Sequence, residues 1–204
     1  MDQARTSAAE GLVAVADHQT AGRGRRGRTW DAPVGTALLC SVLLRGRERA
    51  PAAVAVAAAT ACGVATGIRV GLKWPNDLVV DDAKLGGILA QAEGDGVVVG
   101  VGINLSWAPP GAARLGDAVD RDDLLALFLA ELDRRLADWS TVASAYRRAC
   151  TTVGRPVSVE LPDETFTGRA ADVTDEGHLL VDVGTCLRTV TTADVVHLRQ
   201  NSYW

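Results

Sequence analysis

Gly22-Arg23-Gly24-Arg25-Arg26-Gly27-Arg28 follows the apolar run Leu12-Val13-Ala14-Val15-Ala16 after a short polar step. The apolar run reads as a buried strand, so the arginines leave the end of a sheet. Glycine lets the backbone adopt φ > 0 and approach a ligand closely, while arginine offers forked donors suited to carboxylate and phosphate oxygens. The whole chain carries a net charge of −4, with 25 acidic against 21 basic residues, so this positive charge is local. A strand ending in such a loop suggests a site for a small anionic ligand.

Other readings of the run have less support. No second basic block accompanies it, which argues against broad binding to a nucleic-acid backbone. Gly22, Gly24 and Gly27 fit the G-x-G-x-x-G dinucleotide pattern, with Glu48 at about the required twenty residues downstream. That pattern needs a helix directly after the loop, whereas Arg28-Thr29-Trp30-Asp31-Ala32-Pro33 carries a proline and no helical apolar period. The kinase version fails as well, since no Val-Ala-Ile-Lys, His-Arg-Asp or Asp-Phe-Gly follows.

The 204 residues allow one medium domain and one small one. No stretch reaches the ~18 apolar residues of a membrane span, and no signal peptide opens the chain. Cys40, Cys62, Cys150 and Cys186 form no C-x-x-C pair, and His18, His178 and His197 are dispersed. Reduced thiols in a cytoplasmic protein are expected, without a metal or disulfide framework.

A strand is expected over Ala37–Leu44, then an alanine-rich helix from Pro51 to about Thr66, stopped by Gly67. Ile68–Leu72 and Leu78–Val80 read as short strands. Ile88–Ala92 and Val97–Ile103 flank a hairpin turn at Gly94-Asp95-Gly96. Leu124, Leu125, Phe128, Leu132 and Leu136 recur at helical spacing, which predicts an amphipathic helix over Asp122–Trp139 and a second piece to about Cys150. From Gly154 the texture changes to short β-type runs, Val157–Leu161, Thr165–Val173, Leu179–Val183, Leu187–Thr192 and Val195–Leu198, separated by turn residues. Closely spaced strands of this kind suggest a small barrel.

Three further stretches sharpen the anion-site reading: Lys73-Trp74-Pro75-Asn76-Asp77-Leu78 after a strand, Lys84-Leu85-Gly86-Gly87-Ile88-Leu89 before one, and Gly100-Val101-Gly102-Ile103-Asn104-Leu105 ending a hairpin. Each alone fits an ordinary turn, bulge or solvated lysine. Together with Gln19-Thr20-Ala21 and the Gly/Arg run, in this order and spacing, they resemble the biotin–protein ligase family from Leu12 to Leu198. The resemblance implies an α/β (α+β) fold: a mixed-sheet catalytic domain over residues 1–153 and an SH3-like barrel over 154–204.

It also implies activation of biotin with Mg-ATP to biotinyl-5′-adenylate, then transfer to a lysine of a biotin carboxyl carrier domain of an acyl-CoA or pyruvate carboxylase. By position, Gln19, Arg23, Gly24, Arg25 and Lys84 match the biotin-contacting residues. Lys84 and Arg25 match the catalytic ones. Arg25, Arg28, Asn76, Asp77, Asn104 and Trp107 are placed at ATP and the adenylate, with Asp77 facing the nucleotide-bound Mg²⁺. Arg26 reads as a solvated neighbour, and Trp30 and Trp74 as structural. No DNA or membrane partner is expected, and a homodimer is left open.

Family members place a Ser-Thr segment before the first helix, whose hydroxyls hold the ureido ring of biotin. Here Met1-Asp2 stands where a Ser-Thr-Met-Asp motif would end, which suggests a start assigned too late or a truncated chain. Two alternatives follow: a lipoate–protein ligase-like enzyme of the same fold, and a non-catalytic biotin- or adenylate-binding protein.

Overall fold

A computed structural model of the protein describes residues 9–45 and 50–198. The Met1-Asp2 junction, Glu48 and residues 199–204 of the C-terminal unit lie outside the described residues. The chain runs β1 (Val13–Ala16), β2 (Ala37–Arg45), α1 (Ala50–Thr66), β3 (Gly71–Lys73), β4 (Asp77–Val80), β5 (Ala83–Glu93), β6 (Gly96–Asn104), α2 (Arg121–Ala137) and α3 (Ser140–Ala149). Then come β7 (Pro156–Glu160), β8 (Thr165–Val173), β9 (Leu179–Asp182), β10 (Leu187–Val190) and β11 (Asp194–His197).

Strands β1 to β6 form a six-stranded sheet in the order β1-β2-β6-β5-β4-β3, and β7 to β11 a five-stranded sheet in the order β10-β9-β8-β7-β11. The α+β architecture is as expected. The strand pairs of the large sheet run antiparallel, as the short turns joining β3 to β6 require of those four strands, and Leu72 of β3 adds a parallel bridge to Cys150.

Alternation along β2 divides the large sheet into two faces. Leu38, Cys40, Val42 and Leu44 join the main core, while Ala37 and Leu39 pack on the other side with Ala32 and Trp30. Helix α1 is alanine and valine through most of its length and is buried on nearly every side, against the sheet and against α2 and α3. It stops at Gly67, whose φ of 72° and amide bond to Gly63 O make a left-handed cap. Helix α2 starts at Asp120, whose carboxylate accepts the amides of Asp122 (2.9 Å) and Asp123 (3.0 Å), a cap worth about 1 kcal/mol. Its buried stripe is Leu124, Phe128 and Leu132, as the helical spacing predicts.

The segment Lys84–Leu89, expected to precede a strand, lies inside β5. One extra residue enters β5 there, since Val79 pairs with Lys84 while its neighbour Leu78 pairs with Gly86. Glycine is needed at this crossing, because a Cβ on Gly86 would meet Gly102 O at 2.5 Å. A Gly-Gly pair weakens a strand signal in sequence, so this β-bulge hid the first half of β5.

The two sheets meet at the turn between β3 and β4. Thr152 Oγ1 accepts the Trp74 amide (3.0 Å) and contacts His197 Nε2 (3.0 Å), and Arg155 Nη1 lies 3.3 Å from His197 Nδ1 and 2.8 Å from Asp82 Oδ2. An arginine facing Nδ1 can only donate, so Nδ1 carries the lone pair and Nε2 the proton. Burial first, then Lys73 and Arg155, lower the His197 pKa to about 4 from 6.5, with Asp82 opposing. In the unfolded chain the ring takes up its proton near 6.5, so the neutral folded form contributes stability that is complete above 6.5 and is lost as pH falls towards 4. Thermal unfolding measured across that window should show the wild-type midpoint falling more steeply than that of His197→Gln. Parallel curves would remove His197 from the account.

Candidate active site

The Gly/Arg run folds back on itself. Gly24 N donates to Arg28 O (2.6 Å), Trp30 N donates to Gly22 O (3.0 Å), and Arg23 and Thr29 bridge in antiparallel fashion. Arg25–Gly27 makes one 3-10 turn in which Arg26 takes φ 53°, a left-handed conformation that costs a non-glycine residue roughly 1–2 kcal/mol. Gly22 has no substitute at the base of the loop, since a Cβ there would lie 2.1 Å from Trp30 O.

The closed loop stands over the sheet face that the helices leave open, bordering a cleft of about 430 Å³. One cross-sheet row, Leu39–Gly102–Gly87–Asp77, and the next, Ser41–Gly100–Leu89, run through its floor. The glycines keep that floor low. The Trp30 ring lies on Gly102, where a Cβ would come within 2.8 Å of Cε2, and beside Gly87. Trp30 Nε1 is buried without a hydrogen-bond partner among the described residues, a donor whose desolvation costs about 1–3 kcal/mol until an acceptor reaches it.

The bulge in β5 reverses the face on which side chains emerge, and this brings Lys84 to the same side as Gly87. Lys84 Nζ lies 2.7 Å from Asp77 Oδ1 and 5.8 Å from the centre of the Trp30 ring. The Lys84–Asp77 contact is one of charge without hydrogen-bond geometry, and Asp77 Oδ1 is buried with no hydrogen bond among the described residues. Asn76 is fixed by its own side chain, with Nδ2 donating to Ile88 O (3.1 Å) and Oδ1 accepting from Arg25 Nη1 (3.4 Å).

Arg25 crosses from the loop to the small sheet. Its Nη1 donates to Ala193 O (3.0 Å) and its Nη2 to Thr192 Oγ1 (2.9 Å), leaving the side chain 17% exposed. Burial lowers its pKa from the usual arginine value, and the Asp194 carboxylate opposes that shift. Arg23 also lines the cleft and has no ion-pair partner among the described residues. Cys40 belongs to the strand that floors the cleft, but its side chain joins the core on the opposite face, where burial pushes the thiol up to about 12.

Residues 3–106 match the biotin/lipoate A/B protein ligase family, and residues 152–198 match the biotin protein ligase C terminal domain. The chain is 39% identical to the biotin--[acetyl-CoA-carboxylase] ligase of Mycobacterium tuberculosis, over 93% of this chain and 80% of that one. It belongs to the biotin protein ligase family. The Paracoccus denitrificans biotin--[acetyl-CoA-carboxylase] ligase is 32% identical, with 82% of each chain covered. Among solved structures, the fold matches the Aquifex aeolicus biotin protein ligase, in complex with biotin and ATP, with a TM-score of 0.84 at 24% identity, covering 98% and 94% of the two chains.

Within this family framework, Gln19, Arg23, Gly24, Arg25, Arg28, Asn76, Asp77 and Lys84 all border the one cleft. Asn104 and Trp107 do not. Asn104 is buried and its Nδ2 donates to Ala113 O (2.9 Å), and Trp107 stands 37% exposed on the following segment. Lys73 also stays outside the lining. Trp30, read from sequence as structural, lies in the cleft wall. Ser41, Thr192 and Asp194 had no signal of their own, because each sits in a run that reads only as strand or turn.

The closure of the loop yields a direct test. Replacing Gly22 by Ala forces a backbone clash at Trp30 O that no side-chain rotation relieves. An overpacking penalty of about 1–3 kcal/mol would open the loop roughly ten- to a hundredfold more often. Limited trypsin digestion, with fragments identified by mass, should then cleave after Arg23 to Arg28 at least about tenfold faster in Gly22→Ala. Equal cleavage rates would show that Gly22 does not govern closure.

Proposed function

We propose that the cleft joins biotin to ATP as biotinyl-5′-adenylate and then passes biotin to a lysine of a biotin carboxyl carrier domain. The observation that carries this reading is the meeting of Arg25 and Lys84 in one partly dehydrated cleft. Membership of the biotin protein ligase family, on both matched segments, supports the chemistry. Among the described residues no helix is long and apolar enough to cross a membrane.

In the first step a biotin carboxylate oxygen forms a bond to the α-phosphorus as pyrophosphate leaves. In the second, the carrier amine attacks the carbonyl of the mixed anhydride, AMP leaves, and the nitrogen loses a proton. Both reactants of the first step are anions, so the barrier is chiefly one of repulsion and placement. Lys84 is assigned to the carboxylate and the forming ester oxygen, and Arg25 and Arg28 to the phosphate. Gln19, Arg23 and Gly24 are assigned to the biotin end of the cleft. For adenine, the fixed Asn104 would steady the segment that presents the exposed Trp107 ring.

The oxygen donors present fit a magnesium ion shared with phosphate. Asp77 offers a buried carboxylate oxygen that makes no hydrogen bond among the described residues and is paired only by charge with Lys84, and Asn76 lies beside it. Asp77, assisted by Asn76, would hold the ion, which when bound supplies charge neutralisation to the phosphates.

The reading is tested by incubating the protein with ATP, magnesium, an apo carrier domain and either biotin or lipoate. Biotin-dependent pyrophosphate release and carrier labelling are expected. Release with lipoate instead, or with neither acid, would overturn it.

Two variants separate the roles. Lys84→Ala should slow single-turnover adenylate formation more than it weakens biotin binding, because its ammonium meets more charge in the transition state. A loss confined to biotin affinity would make Lys84 a binding residue only. Arg25→Gly removes a charge-assisted bond to the adenylate worth roughly 1.5–3 kcal/mol, so the intermediate should escape about ten- to a hundredfold faster. Bystander serum albumin should then become biotin-labelled above the wild-type level. Unchanged albumin labelling by a variant that still makes adenylate would show that Arg25 does not retain it.

A further inference from the structure

Arg25, Arg26 and Arg28 stand within one turn of chain, and their guanidinium groups repel one another. One carboxylate answers all three. Asp194, at the start of β11, lies 3.9 Å from Arg25 Nη1, 3.2 Å from Arg26 Nη1 and 3.1 Å from Arg28 Nη2. Its side chain is 22% exposed, so these charges meet at the edge of solvent rather than in bulk water. The two residues before it supply the neutral acceptors Thr192 Oγ1 and Ala193 O to Arg25, and Glu160 O accepts from Arg26 Nη2 (2.8 Å). A carboxylate ringed by guanidiniums presents the same chemistry as a bound phosphate oxygen.

We propose that Asp194 is the resident anion of the phosphate site: it occupies and neutralises the loop arginines until a polyphosphate displaces it. Asp194 is thus a positioning residue that acts through the arginines. This rests on the reading of the cleft as a nucleotide site. When the carboxylate charge is removed the loop retains its backbone closure, Arg25 keeps Thr192 and Ala193, Arg26 keeps Glu160 and Arg28 keeps Arg25 O, so what the arginines chiefly lose is their competitor. A single carboxylate cannot match the charge of a triphosphate, and it remains tethered nearby to recapture the arginines once pyrophosphate and AMP leave.

The probe is inorganic tripolyphosphate, titrated calorimetrically without biotin. Asp194→Asn should bind it about tenfold or more tightly than the wild type, with the difference shrinking as salt rises, while Asp194→Glu stays near the wild type. No tightening in a folded Asp194→Asn, or no tripolyphosphate binding by the wild type, would overturn the proposal. A second measurement needs no variant. The carboxylate ¹³C resonance of Asp194 in the wild-type protein should move on saturation with tripolyphosphate, and an unmoved resonance overturns the proposal even if Asp194→Asn fails to fold. Because neither readout involves biotin, a chain that responds to tripolyphosphate as expected yet makes no adenylate would fail as a ligase and keep Asp194 as the resident anion.

Discussion

Three guanidinium groups within one turn of chain need acceptors before they can serve a ligand, and the positions of both sheets are tied to how that need is met. The loop itself supplies few acceptors, because its own carbonyls close the Gly24–Arg28 and Trp30–Gly22 bonds. The small sheet supplies most of the rest, through Thr192, Ala193, Asp194 and Glu160, and Asn76 Oδ1 in the β3–β4 turn of the large sheet adds one for Arg25. Exposed ion pairs alone contribute little, with a median near 0–1 kcal/mol. The half-buried Arg25 pairs are different in kind, since two directed hydrogen bonds and a shared carboxylate fix one rotamer of a long side chain.

Beneath the loop the constraint is steric. Trp30 can lie flat only because Gly102 and Gly87 oppose each other across β5 and β6, and the loop can close only because Gly22 leaves room for Trp30 O. The same stretch of β5 then uses its extra residue to turn Lys84 towards the open face. Three glycine positions and one bulge therefore place a lysine and an indole at one cavity, while the arginines take their places from the small sheet. Asp77, in the row that contains both floor glycines, completes the set by holding Lys84 before a ligand arrives.

Much of this was legible in sequence. The Gly/Arg run, the Lys-Trp-Pro-Asn-Asp stretch and Lys84 carry unusual residue types at fixed spacing, so local chemistry betrayed them. The helix over Leu124, Phe128 and Leu132 was equally open, because burial on one face writes a period into the chain. What stayed hidden depends on contacts between distant segments. Asp194 is one aspartate at a strand start until the fold sets it against Arg26 and Arg28. Ser41 faces the cleft only because of the register Ser41–Gly100, and the start of β5 vanished behind two glycines.

Helix α3, the segment that follows it and the small sheet together grip the other side of the site. Trp74 is buried, with its amide donating to Thr152 Oγ1 and its indole N–H to Gly177 O (2.9 Å), and Tyr146 O–H donates to Pro75 O (3.3 Å). These bonds anchor the residues immediately before Asn76 and Asp77. Arg25, reaching from the loop to both Asn76 and Ala193, ties that turn to the small sheet a second time. The small sheet and α3 thus brace the cationic loop and the turn bearing the carboxylate, the two sides of the cleft. Shifting the small sheet would move both, so its contribution is to the geometry of the site itself, and the core it shares with the large sheet gives it the rigidity to do so.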